Sequence, residues 1–429
     1  MKRLIWNKLL EWKSSPYRKP LILKGARQVG KTWLMQEFGR QEYEDIIYIN
    51  CDDEPQINTL FEDDYDIDRI LLQLQAISHI KPKPGKTLII LDEIQSVPRG
   101  LSALKYFDEK APDYHVMVAG SLLGIAMHKG TSFPVGKVDM LTVYPMNFRE
   151  FLMATGHEDW AELIEQQNWI VLQSIENKLQ DLLRQYYYVG GMPAIVNNFV
   201  ETKDLKRTRL MQNNLLDAYR NDFSKHAPLE QVPRINMVMR SIPSQLAKDN
   251  KKFIYGVLKP GARAKDYEVA IQWLMDCGLL YKVSCVTDAI APLSFYENLS
   301  AFKLYFLDCG LLAAMAGASS EQMLVGNNAF IGFKGAFTEQ YVLQQLLSHG
   351  INQVYYWTSG ATAEVDFIIE QGGIIEPIEV KAEENVKAKS LKMLVDKHQG
   401  MKGIRYSMRP YKKQEWMTNY PLYSISIVR

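Results

Sequence analysis

The sequence predicts an α/β protein with a parallel sheet in its first third, a helical middle and a second mixed α/β region at its end. Three observations lead there. Over residues 1–155, short apolar runs alternate with amphipathic stretches, the pattern of a parallel sheet covered on both faces. Residues 156–235 carry helical periodicity with few strand signals. Residues 316–429 return to apolar runs separated by glycine turns and helical segments.

The strands of the first region read as Leu21-Ile22-Leu23, Ile46 to Ile49, Leu88 to Leu91 and His115 to Ala119. Helices are expected between them, over Thr32 to Arg40 and Asp68 to Ser78. The helical middle contains a long segment from Trp169 to Gln185. Over residues 236–315 shorter helices lead into a hairpin, Leu280 to Val286 and Phe295 to Leu307. At 429 residues, and roughly 150 residues per domain, the chain accommodates several domains, placed here at 1–155, 156–235, 236–315 and 316–429.

Composition narrows the function class. The chain is 47% hydrophobic and 23% charged, ordinary for a protein with a large core. A net charge of +1 excludes bulk polycationic coating of nucleic acid, though not a local patch. Cys51, Cys277, Cys285 and Cys309 form no C-x-x-C pair and no metal-ligand spacing with histidine, so neither a disulfide framework nor structural zinc is expected. The first residues lack a long apolar stretch and the most apolar run, Leu311 to Ala318, is too short for a bilayer. A soluble cytoplasmic protein is expected, with no membrane partner.

Residues 25–32 read Gly25-Ala26-Arg27-Gln28-Val29-Gly30-Lys31-Thr32, matching G-x-x-x-x-G-K-[ST] between an apolar strand and an amphipathic helix. In that setting the glycines let backbone N–H groups approach a phosphate, and the helix N-terminus adds favourable partial charge. Lys31 would bridge the β- and γ-phosphates of ATP and Thr32 would hold Mg²⁺. The alternative is a glycine turn before an ordinary helix. Leu88 to Leu91 then ends in Asp92-Glu93, where Asp92 would orient the Mg²⁺ shell and Glu93 would act as general base on water. Ser121, in Ala119-Gly120-Ser121, lies where a polar side chain could reach the γ-phosphate or simply close a turn.

These elements together resemble the AAA-like ATPases of the archaeal-type branch. The order is the family's: residues 25–32, Leu-Asp-Glu-Ile-Gln, Ala-Gly-Ser, Tyr-Pro-Met-Asn-Phe-Arg-Glu-Phe at 144–151, then Gly190-Gly191-Met192-Pro193. The resemblance implies an AAA-like parallel-sheet domain with Lys31 and Thr32 as phosphate and magnesium residues, Asp92 and Glu93 as the Walker B pair, and Ser121 as the sensor. It also implies a homo-oligomer with ATP bound between protomers. Where such proteins commonly show Gly-Arg, this chain has Gly136-Lys137, and lysine lacks the bidentate fork of arginine. No arginine finger is therefore named; Arg149 is either a weak substitute or a surface charge.

From Glu201 to Lys265 there are 14 Lys and Arg against 6 Asp and Glu, a balance of +8. The segment Tyr267 to Cys277 followed by Gly278 and Leu279 to Val283 reads as helix, glycine cap and strand. The resemblance supports a winged helix here, with cations on DNA phosphates. The alternative is a solvated face packed on another protein surface.

Further on, Glu364 to Ile369 reads as a strand, Gln371-Gly372-Gly373 as a turn and Ile374 to Val380 as the return strand. Glu379 and Lys381 share a face, Asp366 can lie opposite, and Glu339 sits on a preceding helix. This set resembles the PD-(D/E)xK nuclease superfamily, which implies a restriction-endonuclease-like fold. It also implies Mg²⁺ or Mn²⁺ on Asp366 and Glu379 with help from Glu339, and Lys381 at the scissile phosphate. A hairpin with cross-strand charge pairs is the plainer reading, and Pro377 points to an edge or a bulge.

Two functions follow. One is an ATP-hydrolysing protein acting on DNA through winged-helix and nuclease-like modules. The other is a nucleotide-driven protein switch or remodeller with a catalytically silent nuclease-like docking domain. A small-molecule kinase is disfavoured by the long remainder of the chain.

Overall fold

The computed structural model describes residues 1–53, 57, 60–61, 64–97, 99–120, 133–248, 251–324, 331–360, 363–382 and 388–425, with the side chains of 331–333 excepted. The chain divides into two compact units: Lys2–Tyr144 with Asp276–Gly278, and Met1, Pro145–Met275 and Leu279–Arg429.

The first unit is built on a five-stranded sheet of order β2-β3-β4-β1-β5, with every neighbouring pair parallel. Its strands are β1 (Leu21–Lys24), β2 (Asp45–Asn50), β3 (Thr87–Asp92), β4 (His115–Ala119) and β5 (Asp139–Thr142). All six residues of β3 and all five of β4 are buried, as expected of strands covered on both faces. The helices Lys31–Glu42, Ile67–Ser78 and Gly100–Lys110 supply the cover. Ile70, Leu71 and Leu74 join Ile89, Leu91, Leu104 and Phe107 in one apolar cluster. Each such side chain contributes roughly 1.5–3 kcal/mol when fully buried.

The second unit holds an eight-stranded mixed sheet of order β12-β13-β11-β10-β9-β8-β6-β7. These are β6 (Leu280–Val286), β7 (Glu297–Phe306), β8 (Val354–Thr358), β9 (Glu364–Gln371), β10 (Ile374–Lys381), β11 (Gly403–Ser407), β12 (Lys412–Lys413) and β13 (Met417–Pro421). The expected hairpin is present as β6–β7, but it is no free-standing wing. β6 runs parallel to β8, so the hairpin forms the edge of the same sheet that carries Asp366 and Glu379. The sheet therefore spans the boundary read at 315/316.

Two further expectations shift. The helix read from Trp169 to Gln185 is two, Trp169–Ser174 and Glu176–Val189, interrupted at Ile175, whose φ of −113° leaves the helical region. Pro377 lies on a central strand rather than an edge. It precedes Ile378, where the parallel ladder to β11 begins, so its missing N–H interrupts no bond on that side. Gly372 and Gly373, at φ +56° and +78°, make the two-residue turn joining β9 to β10, where both central residues need positive φ.

The Gly190-Gly191 pair has a steric cause. A Cβ on Gly190 would fall 2.1 Å from Asp308 Oδ1, and one on Gly191 2.0 Å from Met146 O. The buried Asp308 carboxylate accepts from Gly191 N at 2.7 Å, Leu311 N at 3.0 Å and Gln344 Nε2 at 3.0 Å. It thereby caps the helix Cys309–Met315 and closes that corner of the unit.

Candidate functional site

Residues 25–30 connect β1 to the helix Lys31–Glu42 at the carboxyl ends of the parallel strands, where open α/β sheets bind ligands. Gly25 has φ +142°, and a Cβ there would lie 2.2 Å from Val143 O, so no other residue fits beside the chain leaving β5. Gln28 and Gly30 also take positive φ, +64° and +92°. Ala26 and Val29 are buried beneath the loop. Arg3 fastens it from below: its guanidinium donates to Val29 O at 3.0 Å and to Tyr144 O at 2.7 Å.

The Lys31 ammonium donates to two carbonyls of its own loop, Gly25 O at 2.8 Å and Ala26 O at 2.9 Å. Burial lowers its pKa to about 8, against the pull of Glu93 and Asp92. Thr32 Oγ1 donates to Asp92 Oδ2 at 2.5 Å, and Tyr48 OH reaches the same oxygen at 3.3 Å. Burial raises the Asp92 carboxyl above its usual range. Next to it, Glu93 stands at φ +52°, and its Oε2 accepts from Gln95 Nε2 at 2.6 Å. The amide oxygen of Gln95, Oε1, is buried without a protein partner among the described residues. Ser121 lies outside the described residues.

A hydroxyl and a carboxylate side by side beneath a backbone cradle are hard oxygen donors of the kind Mg²⁺ prefers. The loop and helix N-terminus suit a polyphosphate. The residues thus fit Mg²⁺ and ATP. Lys137, at the Gly-Lys departure, is held by Glu109 at 3.1 Å and Asp108 at 3.4 Å. Arg149 is no surface charge: it is buried, and pairs with Glu165 at 2.7 Å.

In the second unit, Glu339, Asp366, Glu379 and Lys381 are brought together. Glu339 comes from the helix Ile331–Ser348, Asp366 from β9, and Glu379 and Lys381 from β10. Asp366 Oδ2 accepts from Val380 N at 2.7 Å, and its carboxyl faces those of Glu339 and Glu379. Two lysines complete the cluster: Lys251, one of the cations counted from Glu201 to Lys265, and Lys303, which the sequence did not flag. Lys251 Nζ lies 2.6 Å from Glu339 Oε1. The wholly buried Lys303 Nζ lies 2.5 Å from Glu364 Oε1 and 3.9 Å from Glu339 Oε2. Tyr305 OH donates to Glu339 Oε2 at 3.0 Å. Lys381 turns back onto Glu379 Oε1 at 2.5 Å.

Burial opposes ionisation of Glu339, but Lys251 and Lys303 outweigh it and hold its carboxyl below the ordinary value. Asp366, buried and facing Glu339 and Glu379, is driven well above its ordinary value. Both Glu339 oxygens face N–H or O–H donors, and one Asp366 oxygen is taken by the backbone. Among the described residues no group of three or more His, Cys, Asp or Glu side chains is arranged to hold a metal ion. Of the oxygens of Glu339, Asp366 and Glu379, Glu379 Oε2 is buried without a protein partner. As arranged, the cluster does not fit a divalent cation.

Arg3, Tyr48, Gln95 and Lys303 escaped the sequence reading, and Lys251, counted there among the cations of Glu201 to Lys265 (in Lys248-Asp249-Asn250-Lys251-Lys252), is instead largely buried against Glu339. For Lys303 a signal existed, a lone cation inside Ala301-Phe302-Lys303-Leu304-Tyr305-Phe306. Tyr48 follows once β2 is registered against β3, which places Asn50 opposite Asp92.

Residues 17–152 match a family model described as an AAA domain. This match and the parallel sheet with its phosphate loop support a P-loop fold of AAA type for these residues. Residues 180–322 and 334–426 match two models described as domains of unknown function, DUF8612 and DUF4143. The uncharacterized protein MJ1544 of Methanocaldococcus jannaschii is 22% identical over 425 residues, covering 96% of this chain and 87% of that protein. Among solved structures, Aeropyrum pernix ORC1 in complex with DNA aligns with 12% identity and a TM-score of 0.28, over 73% of this chain and 91% of that one. The Thermotoga maritima RuvB Holliday junction branch migration motor aligns with 14% identity and a TM-score of 0.28, over 66% and 89%. At such scores the likeness says nothing about what this chain binds. Among the described residues no helix is long and apolar enough to cross a membrane.

Proposed function

We propose that this protein hydrolyses ATP with Mg²⁺ at residues 25–32, Asp92 and Glu93. The observation that carries the reading is the 2.5 Å contact of Thr32 with Asp92 directly under the Lys31 loop. Backbone N–H groups of residues 25–30 cradle the phosphates, and Lys31 leaves its loop carbonyls for the β- and γ-phosphates. Thr32 and Asp92 hold Mg²⁺, which when bound neutralises charge developing on the phosphate oxygens. Glu93, oriented by Gln95, takes a proton from the attacking water as its oxygen bonds to the γ-phosphorus and ADP departs. Ser121 is assigned to the γ-phosphate, and a cation from a second copy of the chain to the transition state. The test is release of inorganic phosphate from ATP. Turnover that Lys31→Ala or Glu93→Gln fails to remove would refute the assignment.

A second reading, that hydrolysis drives movement on DNA, is favoured by one observation. Lys203, Lys206, Arg207, Arg240, Lys259, Arg263 and Lys265 are all exposed in the second unit. Such cations bind phosphates with strong salt dependence. In this reading the segment around Ala264–Asp276 is the winged-helix element and the eight-stranded sheet is restriction-endonuclease-like. Fluorescence anisotropy with duplex DNA across a salt series tests it. Affinity that is unchanged in an Arg240→Glu/Lys259→Glu/Arg263→Glu variant would remove the support. The switch or remodeller reading then stands.

A further inference from the structure

We propose that Lys251 and Lys303 are the resident cations of the Glu339–Asp366–Glu379 cluster, which takes no divalent metal and serves the fold as an internal ion-pair lock. The inference is independent of the ATPase reading, since it concerns only side chains of the second unit.

The geometry is that of a built site, not of surface lysines in passing contact. Lys303 has no exposed side-chain surface, and its ammonium sits 4.7 Å over the Tyr356 ring as well as on Glu364. Lys251 is only slightly exposed and is placed by its neighbours. Two residues on, Phe253 N donates to Phe302 O at 2.8 Å, and the Phe253 ring stacks on Phe302 at 5.6 Å. The segment is thus clamped to β7, the strand that also supplies Lys303 and Tyr305. From there Lys251 reaches Glu339, 88 positions along the chain.

The acids are already occupied. Lys251, Lys303 and Lys381 face Glu339, Glu364 and Glu379, and Asp366 Oδ2 accepts from Val380 N. A divalent ion would have to displace a buried ammonium from Glu339 and the Val380 N–H from Asp366. Removing a buried charge from its partner without replacement is strongly unfavourable. The cluster therefore ties the 251–253 segment, β7, β9, β10 and the helix Ile331–Ser348 into one piece.

Two measurements on the full chain test this. The first is a Mn²⁺ titration followed by electron paramagnetic resonance without nucleotide, comparing the wild type with Asp366→Asn and Glu379→Gln. The same number of bound Mn²⁺ in all three is expected; loss of one equivalent in either variant overturns the proposal. The second is thermal unfolding of Lys251→Met, which is expected to melt several degrees lower. An unchanged melting temperature overturns the proposal. Should Lys251→Met fail to fold, the paired variant Lys251→Met/Glu339→Gln decides. It removes both partners and is expected to recover a folded chain; a double variant no better than the single one shows that Lys251 is not the counter-ion of Glu339.

Discussion

At the nucleotide loop the ammonium of Lys31 rests on two neutral carbonyls, and Asp92 accepts from a threonine hydroxyl and a tyrosine. At β9–β10 the ammoniums of Lys251, Lys303 and Lys381 rest directly on carboxylates. Both places concentrate lysines and acids under partial or full burial. In the first, cation and anion are kept apart, each satisfied by groups that a ligand can replace at small cost. In the second they neutralise one another, and a ligand would have to break ion pairs. Sequence motifs that name the same residue types do not separate these cases; the partner of each charge does.

The comparison can be broken most sharply at Glu93. Glu93→Gln is expected to lower ATP turnover by about 10²–10⁴-fold, the usual contribution of a general base. ATP affinity, read by fluorescent-nucleotide titration, should stay near wild type. At the other site, Lys303→Met leaves Glu364 and Glu339 without that cation and should destabilise the second unit by about 3–5 kcal/mol in urea unfolding. The exposed pair Lys392–Asp396 is the control, since Lys392→Met should cost less than about 1 kcal/mol. If both lysines cost the same, the second site is no internal lock.

A smaller effect is expected at Gln95. Gln95→Ala removes one donor from Glu93 Oε2, and turnover should fall about 10- to 100-fold with ATP affinity unchanged, since one hydrogen bond to a charged group is worth roughly 1.5–3 kcal/mol. An equal loss of affinity would mean that Gln95 only supports the loop. The smallest effect is on pH. Burial brings free Lys31 to about 8, while a bound phosphate favours its charged form. ATP affinity should be flat below that value and weaken above it, approaching about tenfold per pH unit. Calorimetry between pH 7 and 9.5 gives the slope; a flat profile would show that Lys31 does not lose its charge there.

What could be read in advance follows from how local each signal is. Residues 25–32 and the strand ending in Asp92-Glu93 are contiguous, and their backbone settings come from nearby glycines and apolar runs. The β9–β10 hairpin was legible for the same reason, because Gly372-Gly373 dictates its turn. The partners of the charges were not. Lys251 meets Glu339 across 88 positions, and Arg3 meets Val29 across 26, through folds that no periodicity encodes. The hairpin at 280–306 was read correctly as a hairpin, yet its place beside β8 depends on a parallel pairing with residues some seventy positions later. Ser121 lies outside the described residues, so its reading stays where the motif left it.

That pairing of β6 with β8 bears on how this protein can be inherited or taken apart. A domain that recombines as a cassette needs its breakpoints in linkers that few contacts cross. Here a break near residue 315 would strand two edge strands upstream and leave the β8 backbone donors and acceptors open downstream, an invitation to misassociation. The segment from Leu280 onward should therefore be exchanged between relatives as a single block, and limited proteolysis of the intact protein should spare the 307–319 connection.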